Sequence, residues 1–292
     1  MSDRLLIIDG SNLAFRAYAV QQINNKLTNG CIYGTFSMVR NLIKQFPSYS
    51  YGICWDIGGE TSRHKMAKKY INKGIIKSKY KDRDHSNLEE YFRQLEVIRN
   101  NINLIGINSY EKTCIECDDL IGSFSHKFEN EYNVLIISND KDFQQLINDK
   151  INLYRPVTNE IFDVKNFIDK YGIEPYLMLH VGALTGDGGD NIEGINGIGE
   201  KTAISIIKKY GSLHNLLKSE EAKLDKSKKM QSIFQNEEKL KLAYYLKKIN
   251  RNVDYEFKLN KFNGIKSDLK TFFEKMNFNS FLEKFNNWEE LK

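Results

Sequence analysis

The stretch RLLIIDGSN, residues 4–12, decides how the rest of the chain is read. Leu5–Ile8 is an unbroken apolar run, as expected of a strand covered on both faces of a parallel sheet, and Gly-Ser-Asn after Asp9 opens a helix. The pattern recurs downstream. YGICWD (51–56) is a second short apolar run ending in an acid, while Tyr33–Phe46 and Leu88–Arg99 show helical spacing. Ile102–Ile107 reads as a strand, Cys117–Phe128 as a helix, NVLII (133–137) as a strand, Asp142–Ile147 as a helix start and Ile151–Tyr154 as a strand. Strands alternating with helices predict a parallel α/β sheet. After about Asp169 the strand signals stop, and helical patterns with a glycine-rich turn follow. The predicted division is residues 1–172 for the α/β domain and 173–292 for a helical one.

Composition supports a folded chain. Of 292 residues, 41% are hydrophobic and 12% aromatic, enough to bury a core and too many for a disordered tail. No run approaches the roughly 20 apolar residues of a membrane-spanning helix, so no membrane partner is expected. The N-terminus MSDRLLIIDGSN turns polar at once, unlike a signal peptide. Four cysteines are too few for a disulfide scaffold and are expected reduced, in a cytoplasm. The net charge of +5 is unevenly shared. Arg63–Arg83 holds nine basic residues and one acid, and Lys201–Lys292 twenty basic and twelve acidic, leaving the remainder acidic on balance. Either basic block alone could be a solvated helix face. Together, flanking an acidic body, they suit a polyanion held beside cations at carboxylates.

The acids fall at telling places. Asp9, Asp56, and the pair Asp140 and Asp142 in LIISNDKD all end apolar runs. In open parallel sheets the active crevice lies beyond the carboxyl ends of the strands, so these acids should converge in space. Glu116, Asp118 and Asp119 open a helix, and Asp187 and Asp190 lie in TGDGGDN. Any one of them could simply cap a helix. Pooled, they are costly unless cations neutralise them, and hard oxygen donors without a nearby His or Cys set indicate Mg²⁺ or Mn²⁺ rather than zinc. Cys114-x-x-Cys117 has metal-like spacing but no second pair, so two core-facing thiols are the simpler reading.

Gly194-Ile-Asn-Gly197-Ile-Gly199-Glu-Lys201 leads into an amphipathic helix closed by Gly211. Such a turn exposes backbone N–H groups at a helix N-terminus, where phosphate oxygens bind without base readout. A plain helix–helix turn is the alternative. No strand precedes it, which argues against a dinucleotide site. In Arg63–Arg83, Tyr70 and Tyr80 interleave with cations, a pattern suited to unpaired bases and their backbone.

With these motifs in hand, the chain resembles the flap endonuclease / 5′-nuclease superfamily, in particular phage 5′-exonucleases and the 5′-nuclease domain of bacterial repair DNA polymerases. The resemblance rests on IIDGSN at Asp9, WD at Asp56, R-x6-Y from Arg63 to Tyr70, E-x-D-D at Glu116–Asp119, ISNDKDFQQL at Asp140–Leu146 and GDGGDNIEGINGIGEKTA from Gly186 to Ala203. It covers roughly residues 1–215. It implies a parallel-sheet, PIN-like nuclease domain with a helical arch (about residues 63–100), then a helix–three-turn–helix DNA clamp (about 180–212). It also implies two metal positions: Glu116, Asp118, Asp119, Asp140 and Asp142 at one, bordered by Asp9 and Asp56, and Asp187 and Asp190 at the other. Backbone carbonyls near Ile195 and Ile198 match a K⁺ site, and Arg16 a basic position near the scissile phosphate. Arg63, Lys68, Lys69, Tyr70, Gly197, Gly199, Lys201 and Thr202 match DNA-binding positions.

There is one departure. The family's arch lysine falls on Ile71 when counted from Asp56 and Arg63. Lys73, Lys68 or Lys81 could substitute, or Tyr80-Lys81 is the true counterpart with compensating gaps. The expected activity is a metal-dependent 5′–3′ exonuclease and 5′-flap endonuclease acting on DNA, with RNA–DNA primers a further substrate, in replication or repair, inside a bacterial or phage-infected cell. In-line attack by activated water would leave 5′-phosphate ends. A polymerase or single-strand-binding protein is an expected partner, and the chain is expected to be a monomer. An inactive structure-specific DNA binder is the alternative.

Overall fold

The computed structural model describes residues 4–24, 28–82 and 88–291. Arg83, the end of the basic segment, and the rest of 83–87 lie outside the described residues, as does Asp3.

The chain folds as α/β followed by a helical region. Strand β1 (Arg4–Asp9) lies in the middle of a six-stranded sheet, between β2 (Ser50–Trp55) and β4 (Asn133–Ile137). Next to β2 runs β3 (Asn108–Glu111), and next to β4 run β5 (Ile151–Arg155) and β6 (Glu160–Phe162), giving the order β3-β2-β1-β4-β5-β6. Every pairing is parallel except β5 with β6. Both faces of β1 are buried, which is why its sequence is apolar rather than alternating. Helices α1 (Gly10–Asn24), α2 (Gly30–Gln45) and α4 (Glu89–Asn101) share one apolar cluster with one sheet face; α5 (Cys117–Phe128) and α6 (Val164–Tyr171) pack with the other. Between α2 and α4 runs the basic helix α3 (Ser62–Asn72).

Residues 102–107 depart from the predicted strand. Ile102–Ile105 forms a 3₁₀ turn, and Gly106 ends it in the left-handed region (φ 91°), so pairing with β2 begins only at Asn108. Asp142 likewise sits in a 3₁₀ turn (Lys141–Leu146) rather than an α-helix.

Downstream lie α7 (Met178–Thr185), the two-residue strands β7 (Gly186–Asp187) and β8 (Ile192–Glu193), and α8 (Glu200–Tyr210). Short helices α9 (Leu213–Lys218), α10 (Glu220–Leu224) and α11 (Lys228–Gln235) lead to α12 (Glu237–Lys247). These helices build a second apolar cluster, which α3 and the following loop join through Ala67, Ile76 and Tyr80.

The end of the chain does not stay with that cluster. Phe262, Phe272, Phe273, Phe281 and Trp288, carried by α13 (Leu269–Lys275), α14 (Asn279–Glu283), α15 (Asn286–Glu289) and the segment before them, pack with Phe36, Val39 and Ile43 of α2. The chain stays helical toward its end, but this aromatic segment packs with the first domain rather than with the second apolar cluster.

Candidate active site

The sheet order brings the predicted acids to one edge. Asp9 pairs in register with Cys54, and Ile8 with Ile137, so Asp9, Asp56 and Asp140 follow the ends of three adjacent strands. Asp9 is buried; its Oδ2 accepts from Ser138 Oγ at 2.7 Å and its Oδ1 from the Asn12 backbone N–H at 3.0 Å. Asp56 Oδ1 accepts the Cys117 N–H at 2.8 Å, which ties the end of β2 to the N-terminus of α5. Asp140 caps the 3₁₀ turn by accepting the Asp142 N–H at 2.8 Å. Burial, with Asp140 and Asp56 adding to it, pushes Asp9 up to about 7. Asp118 is pushed well above the carboxylate range by burial and by Asp140, Asp9 and Asp56, against the pull of Lys81. Four carboxylates thus repel one another in a confined space.

A second group of acids is already neutralised. Glu116 accepts from Thr61 Oγ1 (2.8 Å), Tyr80 OH (3.0 Å) and Lys81 Nζ (2.7 Å). Burial opposes its ionisation, yet Lys81 and Arg63 hold it at about 2. Asp119 is gripped by both Arg63 nitrogens (2.8 and 2.7 Å) and by the Asn250 N–H (2.8 Å). Arg63 was expected at the DNA surface; it is instead only 5% exposed, and also donates to the Lys248 carbonyl. The reason is the cost of burying Asp119 and Glu116 without a cation.

Of the candidate arch lysines, Lys81 is the one placed among the acids. Its ammonium lies 2.7 Å from Glu116 and 3.9 Å from Asp190. Burial works against its charge, but Asp118, Glu116 and Asp190 outweigh it and keep it protonated. The loop around it is fastened to the TGDGGDN turn: the Lys81 N–H donates to the Asp190 carbonyl, and the Asn191 amide donates to the carbonyls of Lys79 and Asp82. Ile71 meanwhile packs on the helical cluster, and Lys73 caps the exposed end of α3, 5.7 Å from the Tyr70 ring. Lys68 and Lys69 are exposed, Tyr70 is half-buried, and Arg16 is half-buried in the second turn of α1.

Lys247, at the end of α12, is the residue the sequence reading missed. It is 6% exposed and bridges Asp142 (2.8 Å) and Asp187 (3.0 Å). The signal was present: Leu240, Ala243 and Lys247 share one face of α12, so a cation interrupts an otherwise apolar stripe. Cys117 is buried with its thiol 3.7 Å from Asp9 Oδ1, whereas Cys114, expected in the core, is exposed on a positive-φ turn.

At the glycine-rich turn, Ile195 and Ile198 are buried and anchor it, the Ile198 N–H donating to the Ile195 carbonyl at 3.0 Å. Gly199 caps α8, with Lys201 exposed and Thr202 half-buried just after. Among the described residues no three acid, His or Cys side chains close into a preformed metal cage. The donor chemistry nevertheless fits a hard divalent cation, because Asp9, Asp56, Asp118 and Asp140 crowd carboxylate oxygens together and Lys81 alone does not overcome the burial and mutual repulsion that raise Asp118.

A parallel α/β sheet with carboxylates massed at its C-terminal edge, and a helical backbone clamp beside it, defines a metal-assisted phosphodiesterase architecture. The chain belongs to the 5′-3′ exonuclease family: residues 4–172 match its N-terminal resolvase-like domain and residues 173–270 its C-terminal SAM fold. It is 33% identical over 258 residues to a 5′-3′ exonuclease of Aquifex aeolicus, covering 86% of this chain and 83% of that protein. It is also 32% identical over 228 residues to DNA polymerase I of Mycobacterium tuberculosis, where the match takes 75% of this chain but 24% of the polymerase. Among solved structures, T5 5′-exonuclease with bound zinc aligns at a TM-score of 0.69 and 22% identity, over 85% of this chain and 90% of that one.

Proposed function

We propose that this chain is a divalent-metal-dependent 5′–3′ exonuclease and 5′-flap endonuclease acting on DNA, including RNA–DNA primers. The observation carrying this reading is the repelling group of Asp9, Asp56, Asp118 and Asp140 beside the buried ammonium of Lys81. Mg²⁺ or Mn²⁺ suits those donors, with Asp142, Asp187 and Asp190 toward a second position. Bound there, such cations would lower the pKa of water and stabilise a leaving oxygen.

The chain's own groups do the rest. Lys81 offsets charge that develops on the phosphate, with Arg16 assisting. Exposed Lys68, Lys69 and Lys73 contact the backbone of a single strand, and Lys201 and Thr202, with the N–H groups after Gly197 and Gly199, grip the duplex without reading bases. A K⁺ at the Ile195 and Ile198 carbonyls would tighten that grip. The products carry 5′-phosphates, and the role is in replication or repair, as a monomer working beside a polymerase or single-strand-binding protein. Solved relatives of this fold include the catalytic core of Rad2 in complex with DNA substrate, at a TM-score of 0.59 and 15% identity. An inactive DNA binder was suggested by Ile71; the placement of Lys81 among the acids supports catalysis instead.

The test follows an end-labelled 5′-flapped duplex with Mg²⁺. Wild type should cut near the junction, and Asp140→Asn should lose about a thousandfold or more in rate while binding the flap. Undiminished cleavage by Asp140→Asn would refute the assignment.

A further inference from the structure

We propose that Lys247 is a tethered counter-ion that holds the space between Asp142 and Asp187 and so sets how weakly this chain takes a second divalent cation there. The inference rests on the metal reading above and assigns a role within it to a residue outside every recognised motif.

The lysine is built in rather than draped. Its Nζ lies 2.8 Å from Asp142 Oδ1 and 3.0 Å from Asp187 Oδ2, and the side chain is almost wholly buried. Helix α7 leaves a slot for its stem: a Cβ placed on Gly182 would meet Lys247 Cε at 2.6 Å and Cδ at 3.1 Å. Any side chain at position 182 would push the lysine stem off this path. The end of α12 is then clamped from both sides. Gln145, one turn past Asp142, donates to the Lys247 carbonyl (2.9 Å) and accepts the Ile249 N–H (3.1 Å). Arg63 holds the Lys248 carbonyl, and Asp119 accepts the Asn250 N–H. The ammonium is therefore delivered between two acids from different parts of the chain by four hydrogen bonds and a glycine slot.

Its position has an electrostatic consequence. A fixed positive charge shared by Asp142 and Asp187 makes their negative charge partly unavailable, and a divalent ion entering there must displace the ammonium or share the oxygens with it. Room for such an ion exists, because a cavity of about 290 Å³ adjoins the pair, lined by Lys141, Asp142, Gly182, Asp187, Glu200 and Lys247 among others. The group of Asp9, Asp56, Asp118 and Asp140 is not bridged by Lys247. With Lys81 only beside the first group but Lys247 held between the acids of the second, the two positions should differ in affinity: the first taken more tightly, the second under control of Lys247.

The experiment titrates metal-free, full-length protein with Mn²⁺, reading heat and the free-ion resonance signal. Wild type should bind one tight equivalent and a second weaker by about tenfold or more. Lys247→Met, which keeps the stem and removes the charge, should tighten the second equivalent by about 10–100-fold, and adding Asp187→Asn should cancel that gain. Identical isotherms for wild type and Lys247→Met would overturn the proposal while leaving the metal reading intact. No bound Mn²⁺ in wild type would overturn both. A wild-type measurement guards against a variant that does not fold. In protein labelled with ¹⁵N-lysine, the buried Lys247 ammonium should give a slowly exchanging signal that shifts or vanishes only during the second equivalent of Mg²⁺. A signal unchanged through saturation would overturn the proposal.

Discussion

Lys81 and Arg63 are two cations from one basic stretch with opposite assignments, and the difference decides what their loss does. Lys81 touches Glu116 and approaches Asp190, and in the function proposed above its ammonium also offsets charge on the phosphate. Lys81→Ala should lower the cleavage rate about 10²–10³-fold with little effect on flap binding, as expected for one preorganised donor. Ile71→Lys should leave the rate unchanged, since Ile71 packs on the helical cluster and the proposed function gives the lysine's part to Lys81. A faster Ile71→Lys in single-turnover cleavage would return the arch register to the simpler count. Arg63 acts on stability. Arg63→Ala leaves Asp119 and Glu116 buried with too little positive charge and should cost about 3–5 kcal/mol. That should appear as a fall in melting temperature of roughly 10 °C. Arg63→Lys should recover only part of it, because one ammonium cannot reproduce the two-pronged grip on Asp119.

At the scale of elements, the end of the chain is structural. Trp288 is fully buried against Phe273 and Phe281, with the Arg40 guanidinium 5.1 Å from its ring. Trp288→Ala should destabilise the protein by about 3–5 kcal/mol in denaturant unfolding, yet leave cleavage per folded molecule unchanged. A selective loss of cleavage at full stability would instead tie α15 to the site. The loop 79–82 and the TGDGGDN turn likewise behave as one unit, because Asp190 and Asn191 hold the backbone on both sides of Lys81.

For the whole molecule, the open acid group sets how stability follows pH. In metal-free protein Asp9 holds its proton up to about 7 in the folded state, whereas the unfolded chain releases it near about 3.9. Asp118 is shifted in the same direction. The folded state therefore binds more protons over that interval, and stability should fall as pH rises from about 4 to about 7 and level off above. Glu116, held at about 2, works the other way, but its contribution is lost only as pH falls below the ordinary glutamate range. Urea unfolding of chelator-treated protein at pH 5 and pH 8 checks the sign, and equal stability at both would contradict it. Saturating Mg²⁺ should remove the decline and, at pH 6, should release protons on binding.

Much of this was legible in the order of residues. RLLIID, YGICWD and NVLII announced buried parallel strands because a strand covered on both faces has no polar side to alternate with, and an acid closing such a run has only the sheet's C-terminal edge to occupy. The glycine-rich turn and the separation of α/β from helical sequence were readable for the same reason: each is a local pattern with a local cause. What the tertiary structure alone decided are the pairings between distant segments. Arg63 with Asp119, Lys81 with Glu116, Lys247 with Asp142 and Asp187, and the return of Trp288 to α2 join residues tens to hundreds of positions apart. No periodicity encodes such partners. They are chosen by which charges would otherwise be buried alone and which apolar faces would otherwise meet water, and those costs arise only once the chain is packed.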